Sequence, residues 1–289
     1  MNFENLIEKR QSIRSFHDKA VSEAQLAQLG EYFNKEEALV RGIETRLLYA
    51  VKDAGSRLEG IAGYRGNAFF APAYLLILSE KKEGYLENAG FMGEHLLLKL
   101  TDMGLSGCWL TVDNPEVVKK ALLLDSPLEV AVVIAIGYGK EERSTTRVDI
   151  LTSSNVKFES RQGHVAPKIS QEEMVYNETF GTSAVWEEER FDPYLDKALY
   201  AASLAPAFLN RQSYRYLMKG NRLYLLAGGD DMTSERDGAL NLGATMLNFH
   251  IVYSQYMHQG DGWELGESGD QEAMKLPQDY RIAASYKLW

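Results

Sequence analysis

Two arginines and a serine alternate near the start of the chain, in the run Arg10-Gln11-Ser12-Ile13-Arg14. In an extended segment alternate side chains point the same way, so Arg10, Ser12 and Arg14 share one face. Guanidinium groups donate paired hydrogen bonds to anionic oxygens. The pattern therefore indicates a clamp for a phosphate and a sugar alcohol. Taken alone, the run also fits a charged helix end followed by a polar turn, because short motifs recur by chance.

A second polar segment lies far along the chain, in Ala205-Pro206-Ala207-Phe208-Leu209-Asn210-Arg211-Gln212. Asn210 and Gln212 each carry an amide that both donates and accepts hydrogen bonds. Such groups can form hydrogen bonds with the edge of a planar heterocycle such as a pyrimidine-like ring. The alternative interpretation is an ordinary polar loop between a strand and the helix that Pro206 ends.

A third segment follows the end of an apolar helix and has the sequence Gly104-Leu105-Ser106-Gly107-Cys108-Trp109-Leu110-Thr111. Its glycines allow left-handed backbone and the close approach of a flat ligand. Gly104 itself is better explained as the residue that ends the helix. Cys108 is predicted to be a small buried residue rather than a nucleophile, because nothing nearby in the sequence would activate its thiol.

Several other functions are disfavoured by the sequence. The five histidines (17, 95, 164, 250 and 258) show no metal-ligand spacing, and no Walker A loop, G-x-S-x-G or G-x-G-x-x-G run occurs. A formal net charge of −10 argues against nucleic-acid binding, which needs a basic face. A local basic cluster can still bind a small phosphate.

The elements that would position these residues occur twice in the chain. Residues 71–139 run through Ala-Pro, an apolar strand, a long helix, a glycine-rich stop ending in Trp109, a short helix and a second strand. Residues 205–289 repeat this order with Ala-Pro, a strand at 223–227, a long helix, Gly262-Trp263, Leu276-Pro277 and a strand at 280–286. The ordered match favours duplication over a chance succession of helices and strands.

The duplication predicts two related halves that pack like the subunits of a dimer. The helices near 88–103 and 240–257 are apolar on most sides, which is typical of buried helices, and would form the central pair. The continuous apolar strand 130–136 should be buried on both faces. We place the first half at 1–150, a polar linker at 151–172 and the second half at 173–289.

The compartment is predicted from the N-terminal residues, the lengths of the apolar runs and the number of cysteines. The N-terminal residues show no signal-peptide pattern, and the apolar runs are far shorter than the roughly 20 residues of a membrane span. A single cysteine rules out an intrachain disulfide and fits a reducing environment. We therefore expect a cytoplasmic protein that does not bind membranes.

Together, the three segments resemble the nitroreductase-like family of FMN-dependent oxidoreductases. The family signature R-x-S-x-R-x-F is met by Arg10, Ser12, Arg14 and Phe16. The signature A-P-S-x-x-N-x-Q-P-W is met in part by Ala205, Pro206, Asn210 and Gln212. L-G-L-x-x-x-W is met by Gly104, Leu105 and Trp109, and the strand ending in G-Y-P by Ile134 to Tyr138, with Gly139 in place of the proline.

The resemblance implies an α+β, nitroreductase-like fold with mixed or antiparallel sheets. Family members are usually homodimers that bind FMN at the subunit interface, with the arginine–serine clamp from one subunit and the A-P-S segment from the other. Here the first half holds the clamp and the second half holds the A-P segment. The chain thus looks like the double-length, single-chain branch of the family, a pseudo-dimer with one complete FMN site.

The resemblance also assigns roles to residues. Arg10 and Arg14 would hold the FMN phosphate, and Ser12 the ribityl chain or pyrimidine edge; Asn210 and Gln212 would face the flavin. The other residues expected at the cofactor are Gln11, Trp109, Leu110, Thr111 (through its backbone N–H), Pro206, Ala207 and Arg147. Lys140 or Arg143 could take the place of Arg147 at the phosphate.

The implied activity is the transfer of electrons from NADH or NADPH through FMN to a small electron-poor aromatic acceptor, such as a nitroaromatic or a quinone. No catalytic side chain is expected, since the flavin carries the chemistry. Ala207 and Phe208 replace the small polar residues usual after the proline, and Ser213-Tyr214 replaces Pro-Trp. A flavin-binding or sensing protein with little turnover is therefore the alternative, and a scaffold with an empty site that binds a partner protein is a third. Fusion of the halves predicts a monomer.

Overall fold

The computed structural model describes residues 1–51, 53–140, 145–152, 155–161, 166–184, 192–257, 262–266, 269 and 271–288, with the backbone alone for 145–161. The eight helices of these ranges are α1 (Phe3–Lys9), α2 (Glu23–Lys35), α3 (Ala54–Leu58), α4 (Tyr85–Asp102), α5 (Pro115–Ala121), α6 (Gln171–Met174), α7 (Pro193–Ser203) and α8 (Glu235–Tyr256). The capping box expected at Ser22 and Gln25 begins α2.

The strands form two main sheets and one hairpin. They are β1 (Thr45–Ala50), β2 (Ala73–Ser79), β3 (Ser106–Leu110), β4 (Glu129–Gly137), β5 (Thr145–Thr152), β6 (Asn155–Arg161), β7 (Val175–Asn177), β8 (Tyr214–Lys219), β9 (Arg222–Gly228), β10 (Trp263–Leu265) and β11 (Tyr280–Lys287). The first sheet has the order β1-β2-β4-β3, and the second β10-β11-β9-β8-β7.

The two sheets have the same topology. If β8, β9, β10 and β11 are matched in chain order to β1, β2, β3 and β4, the strand order of the first sheet is reproduced in the second. All these pairs are antiparallel, while the additional strand β7 runs parallel to β8. The predicted duplication and the α+β fold class with antiparallel and mixed sheets are therefore confirmed.

Strands β2 and β4 form the centre of the first sheet and are buried on both faces, as their continuous apolar sequences predict. In β2, Leu75 and Ile77 pack into the core that contains α2 and α4. The alternate residues Leu76 and Leu78 point to the opposite face and pack with α3 and α5. The sheet is thus covered on both sides.

Helices α4 and α8 pack against each other along the seam between the halves. A Cβ atom on Gly90 would overlap the backbone of Leu240, and one on Gly243 would overlap the backbone of Glu87. Gly90 therefore faces Leu240, which lies three positions before Gly243, and Gly243 faces Glu87, which lies three positions before Gly90. Such a reciprocal contact is expected when two helices are related by a two-fold axis. Residues of α4 and α8 that are 153 positions apart, such as Gly90 and Gly243, therefore correspond to each other. The predicted central helix pair is confirmed.

The region between the halves is more structured than its polar sequence indicates. The hairpin of β5 and β6 crosses the predicted boundary at residue 150 and occupies part of the predicted linker. Helix α1 belongs to the first half in sequence, yet its Ile7 packs in the core of the second half. The proposed domain limits remain predictions. Among the described helices, none has the length and apolarity that crossing a bilayer requires.

Candidate functional site

The clamp segment leaves α1 and runs in extended conformation beside β3. The N–H of Ile13 donates to the carbonyl of Gly107 at 3.3 Å, and the N–H of His17 donates to that of Tyr138 at 2.8 Å. Because Ile13 faces the sheet, its sequence neighbours Ser12 and Arg14 border the cavities described below, as does Arg10. The expected clustering of Arg10, Ser12 and Arg14 is thus present.

A small cavity of about 150 Å³ lies over this segment, between the halves. Its lining consists of Ile7, Glu8, Arg10, Gln11, Ser12, Arg14, Ala166, Lys168, Leu204, Pro206, Ala207 and Asn210. Three cations therefore border one small space. The Nζ of Lys168 donates to the carbonyl of Ala205 at 2.7 Å. Burial, and then the charge of Arg10, lower the pKa of Lys168 to about 8.

Arg10 is held from below by a buried carboxylate of α4. Its Nε lies 3.3 Å from Oε1 of Glu94, and the two side chains are 7% and 0% exposed. The Nε and Nη1 atoms of Arg10 are buried and have no hydrogen-bond partner among the described residues. Unsatisfied buried donors are costly, so an anion that accepted from them would stabilise the site.

The loop from Ala205 to Ser213 closes the small cavity from the second half. Leu209 and Asn210 have left-handed φ angles of 47° and 57°. Such strained backbone in non-glycine residues concentrates at functional sites. The Nδ2 of Asn210 donates to the carbonyl of Pro167 at 2.6 Å, while its side chain borders the cavity.

The side chain of Gln212, which was expected to face the flavin, forms hydrogen bonds with the protein backbone. Its Nε2 donates to the carbonyl of Ser203 at 2.9 Å, and its Oε1 accepts from the N–H of Ile169 at 3.0 Å. Gln212 borders neither this cavity nor the larger one beside it. It therefore fixes the segment that carries Lys168 rather than facing a ligand.

The larger cavity measures about 320 Å³ and shares Ser12, Arg14, Pro206 and Ala207 with the small one. Its lining is Ser12, Arg14, Tyr64, Asn67, Phe69, Cys108, Trp109, Leu110, Thr111, Pro206, Ala207, Phe208, Leu209, Asp237, Leu240, Asn241 and Ala244. Most of these side chains are apolar or aromatic. An apolar space that adjoins a small basic one suits a flat ring carrying a phosphate tail.

Trp109 forms one wall of the larger cavity, with Leu110 and Thr111 beside it. Its ring lies against α4 where Gly93 leaves room, since a Cβ there would overlap the ring. The Nε1 of Trp109 is buried without a hydrogen-bond partner in the described part of the chain. The carbonyl of Thr111 accepts from the N–H of Gly63 at 2.8 Å, which fixes the end of β3.

Comparison with known proteins identifies the family. The sequence model of a family described as "Putative TM nitroreductase" matches residues 2–232. The chain belongs to this nitroreductase family. The crystal structure of a "putative nitroreductase" from Thermotoga maritima is 17% identical and has a TM-score of 0.59, with 100% of this chain and 94% of that chain covered. The double length and the fold are thus shared with a solved protein. No curated protein gives a significant match.

Single-length nitroreductases match about half of the chain. An FMN-dependent nitroreductase from Clostridium difficile R20291 is 23% identical, with a TM-score of 0.42 and with 48% of this chain and 88% of that chain covered. A "putative nitroreductase" from Desulfovibrio desulfuricans, solved in complex with FMN, is 20% identical, with a TM-score of 0.43 and 52% and 93% covered.

Several residues that border the two cavities were not predicted from the sequence. Lys168 and Asp237 border the cavities, although no motif marks either residue. Of the basic residues expected after the late strand, Lys140 borders neither cavity. Arg143 and the side chain of Arg147 lie outside the described part of the chain. The aromatic residues Tyr64 and Phe69 also border the larger cavity, and no motif in the sequence marks them.

A second position, related to the first by the symmetry of the two halves, lies at the start of α4. Asn241 of α8 accepts from the N–H of Phe208 at 2.9 Å, and its equivalent on α4, Asn88, accepts from the N–H of Val40 at 3.0 Å. The loop before β1 is therefore the counterpart of the Ala-Pro loop before β8. The pairing of Ala71-Pro72 with Ala205-Pro206 that the repeat predicted is wrong, because Ala71-Pro72 precedes β2 rather than β1.

Apolar side chains lie against the start of α4 at this second position. Gly84, 153 positions before Asp237, is the N-cap of α4. A Cβ on Gly84 would lie only 2.6 Å from Cδ1 of Leu265 and 3.3 Å from Cγ2 of Val40. Val40 and Leu265 thus occupy space beside the start of α4.

Proposed function

We propose that the chain binds one FMN at the seam between its halves and passes electrons from NADH or NADPH to a small electron-poor aromatic acceptor, such as a nitroaromatic or a quinone. The observation that carries this proposal is the largely apolar cavity joined to a small one that Arg10, Arg14 and Lys168 border. Membership of the nitroreductase family supports it independently.

The residues present fit the proposed cofactor. Arg10, Arg14 and Lys168 would hold the phosphate, because their positive charges are complementary to its negative charge. Ser12, Gln11 and Asn210 would contact the ribityl chain or the pyrimidine edge. Trp109, Leu110 and Thr111 would border the ring system on the side of the first half, and Pro206 and Ala207 on that of the second. FMN, when bound, supplies the redox chemistry, and the protein orients it and excludes water.

The first experiment is the visible absorption spectrum after excess FMN has been added and removed by desalting. We expect about one equivalent of FMN per chain, because Val40 and Leu265 occupy space at the second position. Two equivalents would contradict the proposal of one complete site, and none would contradict cofactor binding altogether. Light scattering on the same sample tests whether the chain is a monomer.

Two substitutions identify the anion-binding residues. Arg10→Ala and Lys168→Ala should each reduce FMN retention, since each removes a cation from the small cavity. Arg41→Ala is the matched control, because Arg41 is exposed and pairs only with Glu37 on its own surface. Equal FMN retention in all three variants would refute the assignment.

The alternative function, flavin binding or sensing with little turnover, rests on Phe208. The rings of Tyr64 and Phe208 meet edge to face at 5.8 Å where both line the larger cavity, and they occupy space that an acceptor would need. Steady-state oxidation of NADH or NADPH well above the rate with free FMN would exclude this alternative. Location in the cytoplasm is part of the proposal and is supported by the nicotinamide donor.

A further inference from the structure

Asp237 is an acid at the wall of a largely apolar cavity. It is 7% exposed and borders the larger cavity together with Trp109, Phe208 and Leu240. Arg14 is the other charged residue of the described lining. An acid in such a place is unexpected, because burying a carboxyl group without a cationic partner costs free energy. The proposed function so far gives it no task.

The surroundings of Asp237 favour its protonated form. Burial raises the pKa of the carboxyl group, and the negative charge of Asp113 acts in the same direction. A hydrogen bond from Ser234 and the positive charge of Arg236 oppose the shift. The Oγ of Ser234 donates to Oδ2 at 2.8 Å and accepts from the N–H of Asp237 at 3.0 Å. The carboxyl group is therefore held in one orientation.

Asp237 lies in the first turn of α8, three residues after the N-cap Ser234, where an acid also suits the helix dipole. Gly84, 153 positions earlier, precedes the first residue of α4 and has a left-handed φ of 74°, so it is not an equivalent helical position. The role of Asp237 therefore rests on its place in the wall of the larger cavity, beside Trp109 and Phe208.

We propose that Asp237 is a catalytic residue that donates a proton to the acceptor as it is reduced. The inference rests on the proposed function. Reduction of a quinone to a hydroquinone requires two electrons and two protons. FMN, held as proposed and supplied with electrons by NADH or NADPH, would provide both electrons and one of the protons as a hydride. The second proton moves from the carboxyl group of Asp237 to a quinone oxygen and forms an O–H bond. Asp237 is left as a carboxylate, which solvent reprotonates.

The test separates the transfer of electrons into the flavin from their transfer to the acceptor. Asp237→Asn keeps an oxygen that can accept from Ser234 but removes the acid. Glu235→Gln is the matched control, since Glu235 is an exposed acid in the same helical turn and lies outside the larger cavity. Thermal unfolding of both variants monitors the fold.

With menadione as the acceptor, Asp237→Asn should slow reoxidation of the reduced protein by about 100-fold, the lower end of the usual contribution of general acids. FMN retention and reduction by NADH or NADPH should stay within about threefold of the wild type, because those steps do not use the proton. Reoxidation of the wild type should slow as the pH rises through the pKa of Asp237, and this limb should vanish in the variant.

A second measurement does not depend on activity. Carbon-13 NMR of aspartate-labelled protein without substrate follows the carboxyl resonance that disappears in Asp237→Asn, and we expect it to titrate above the ordinary value of about 3.9. A normal titration, or equal reoxidation rates at every pH, would overturn the proton-donor role while leaving FMN binding intact. Failure to retain FMN or to accept electrons from the nicotinamide would instead overturn the proposed function, and the role of Asp237 with it.

Discussion

Glu94 lies directly beneath the cations of the small cavity, and its removal should change both stability and cofactor binding. Its side chain is fully buried, and burial raises its pKa from 4.5 to about 7, although the charges of Arg10 and Lys168 oppose the shift. We consider the variant Glu94→Gln, which is nearly the same size and cannot ionise. The comparison with the wild type isolates the titration of this one group.

The effect on stability follows from proton linkage. The folded state binds a proton at Glu94 between pH 4.5 and 7, where the unfolded state has lost it, so the contribution of this group is greatest below pH 4.5 and is lost as the pH rises through 7. The difference between a pKa of 4.5 and one of about 7 corresponds to an upper limit of about 3 kcal/mol. The wild type should lose up to this amount of unfolding free energy between pH 4.5 and 8 through Glu94, and Glu94→Gln should not.

The effect on FMN binding has the same sign. A phosphate bound to Arg10 and Lys168 adds negative charge near Glu94 and favours its protonation, so binding takes up a proton when the pH is above about 7. The dissociation constant should then rise by up to about tenfold per pH unit above 7. Loss of the Lys168 proton near pH 8 acts in the same direction. Glu94→Gln should bind FMN more tightly at pH 8 and show a flatter profile.

The assay is FMN fluorescence quenching between pH 6 and 9, with urea unfolding of the apoprotein over the same range. Glu37→Gln is the control, because Glu37 is an exposed acid that pairs with Arg41 outside the cavities. The reasoning is refuted if Glu94→Gln binds FMN with the same pH dependence as the wild type. Weaker binding by Glu94→Gln at pH 8 would show that Glu94 mainly positions Arg10 and does not compete with the FMN phosphate for it.

Further predictions concern the helices that carry the site. Burial, and then the charge of His250, lower the pKa of His95 from 6.5 to about 3, so stability should fall as the pH drops below 6.5. At pH 5 this loss is about 2 kcal/mol in urea unfolding, and His95→Gln should reduce it. Gly93→Ala should displace the ring of Trp109, cost about 1–3 kcal/mol and weaken FMN retention. Gly30→Ala, in α2 with open space around it, should instead stabilise the protein by about 0.5–1 kcal/mol, and thermal unfolding measures both changes.

The fold could be predicted from the sequence because its signals are local. The apolar run of β4 and the nearly all-apolar surfaces of α4 and α8 are visible within single segments, and their order reveals the duplication. Apolar residues also alternate with polar ones in β5 and β6, at Val148 and Ile150 and at Val156 and Phe158. The hairpin was nevertheless assigned in part to the linker, because the surrounding sequence is mostly polar.

The candidate site was predicted only in part, because side-chain direction depends on distant contacts. Motif spacing located Arg10, Ser12 and Arg14 on one cavity. It could not show that Gln212 turns toward Ile169, 43 positions earlier. Lys168 lies in no motif, and its position follows from the same hydrogen bond. A residue fixed by a partner far along the chain leaves no signal in its own neighbourhood.

Fusion of the halves explains how one site could be kept while the other was lost. In a homodimer a substitution appears at both symmetry-related sites, whereas in a fused chain each copy changes alone. The asparagines that hold the two loops, Asn88 and Asn241, are still equivalent. Around them, Val40 and Leu265 occupy space at one position, while Asp237 and Thr111 border the open one. The shared hydrogen bond preserves the scaffold of both sites, so the differences around it mark the residues on which the function of the remaining site depends.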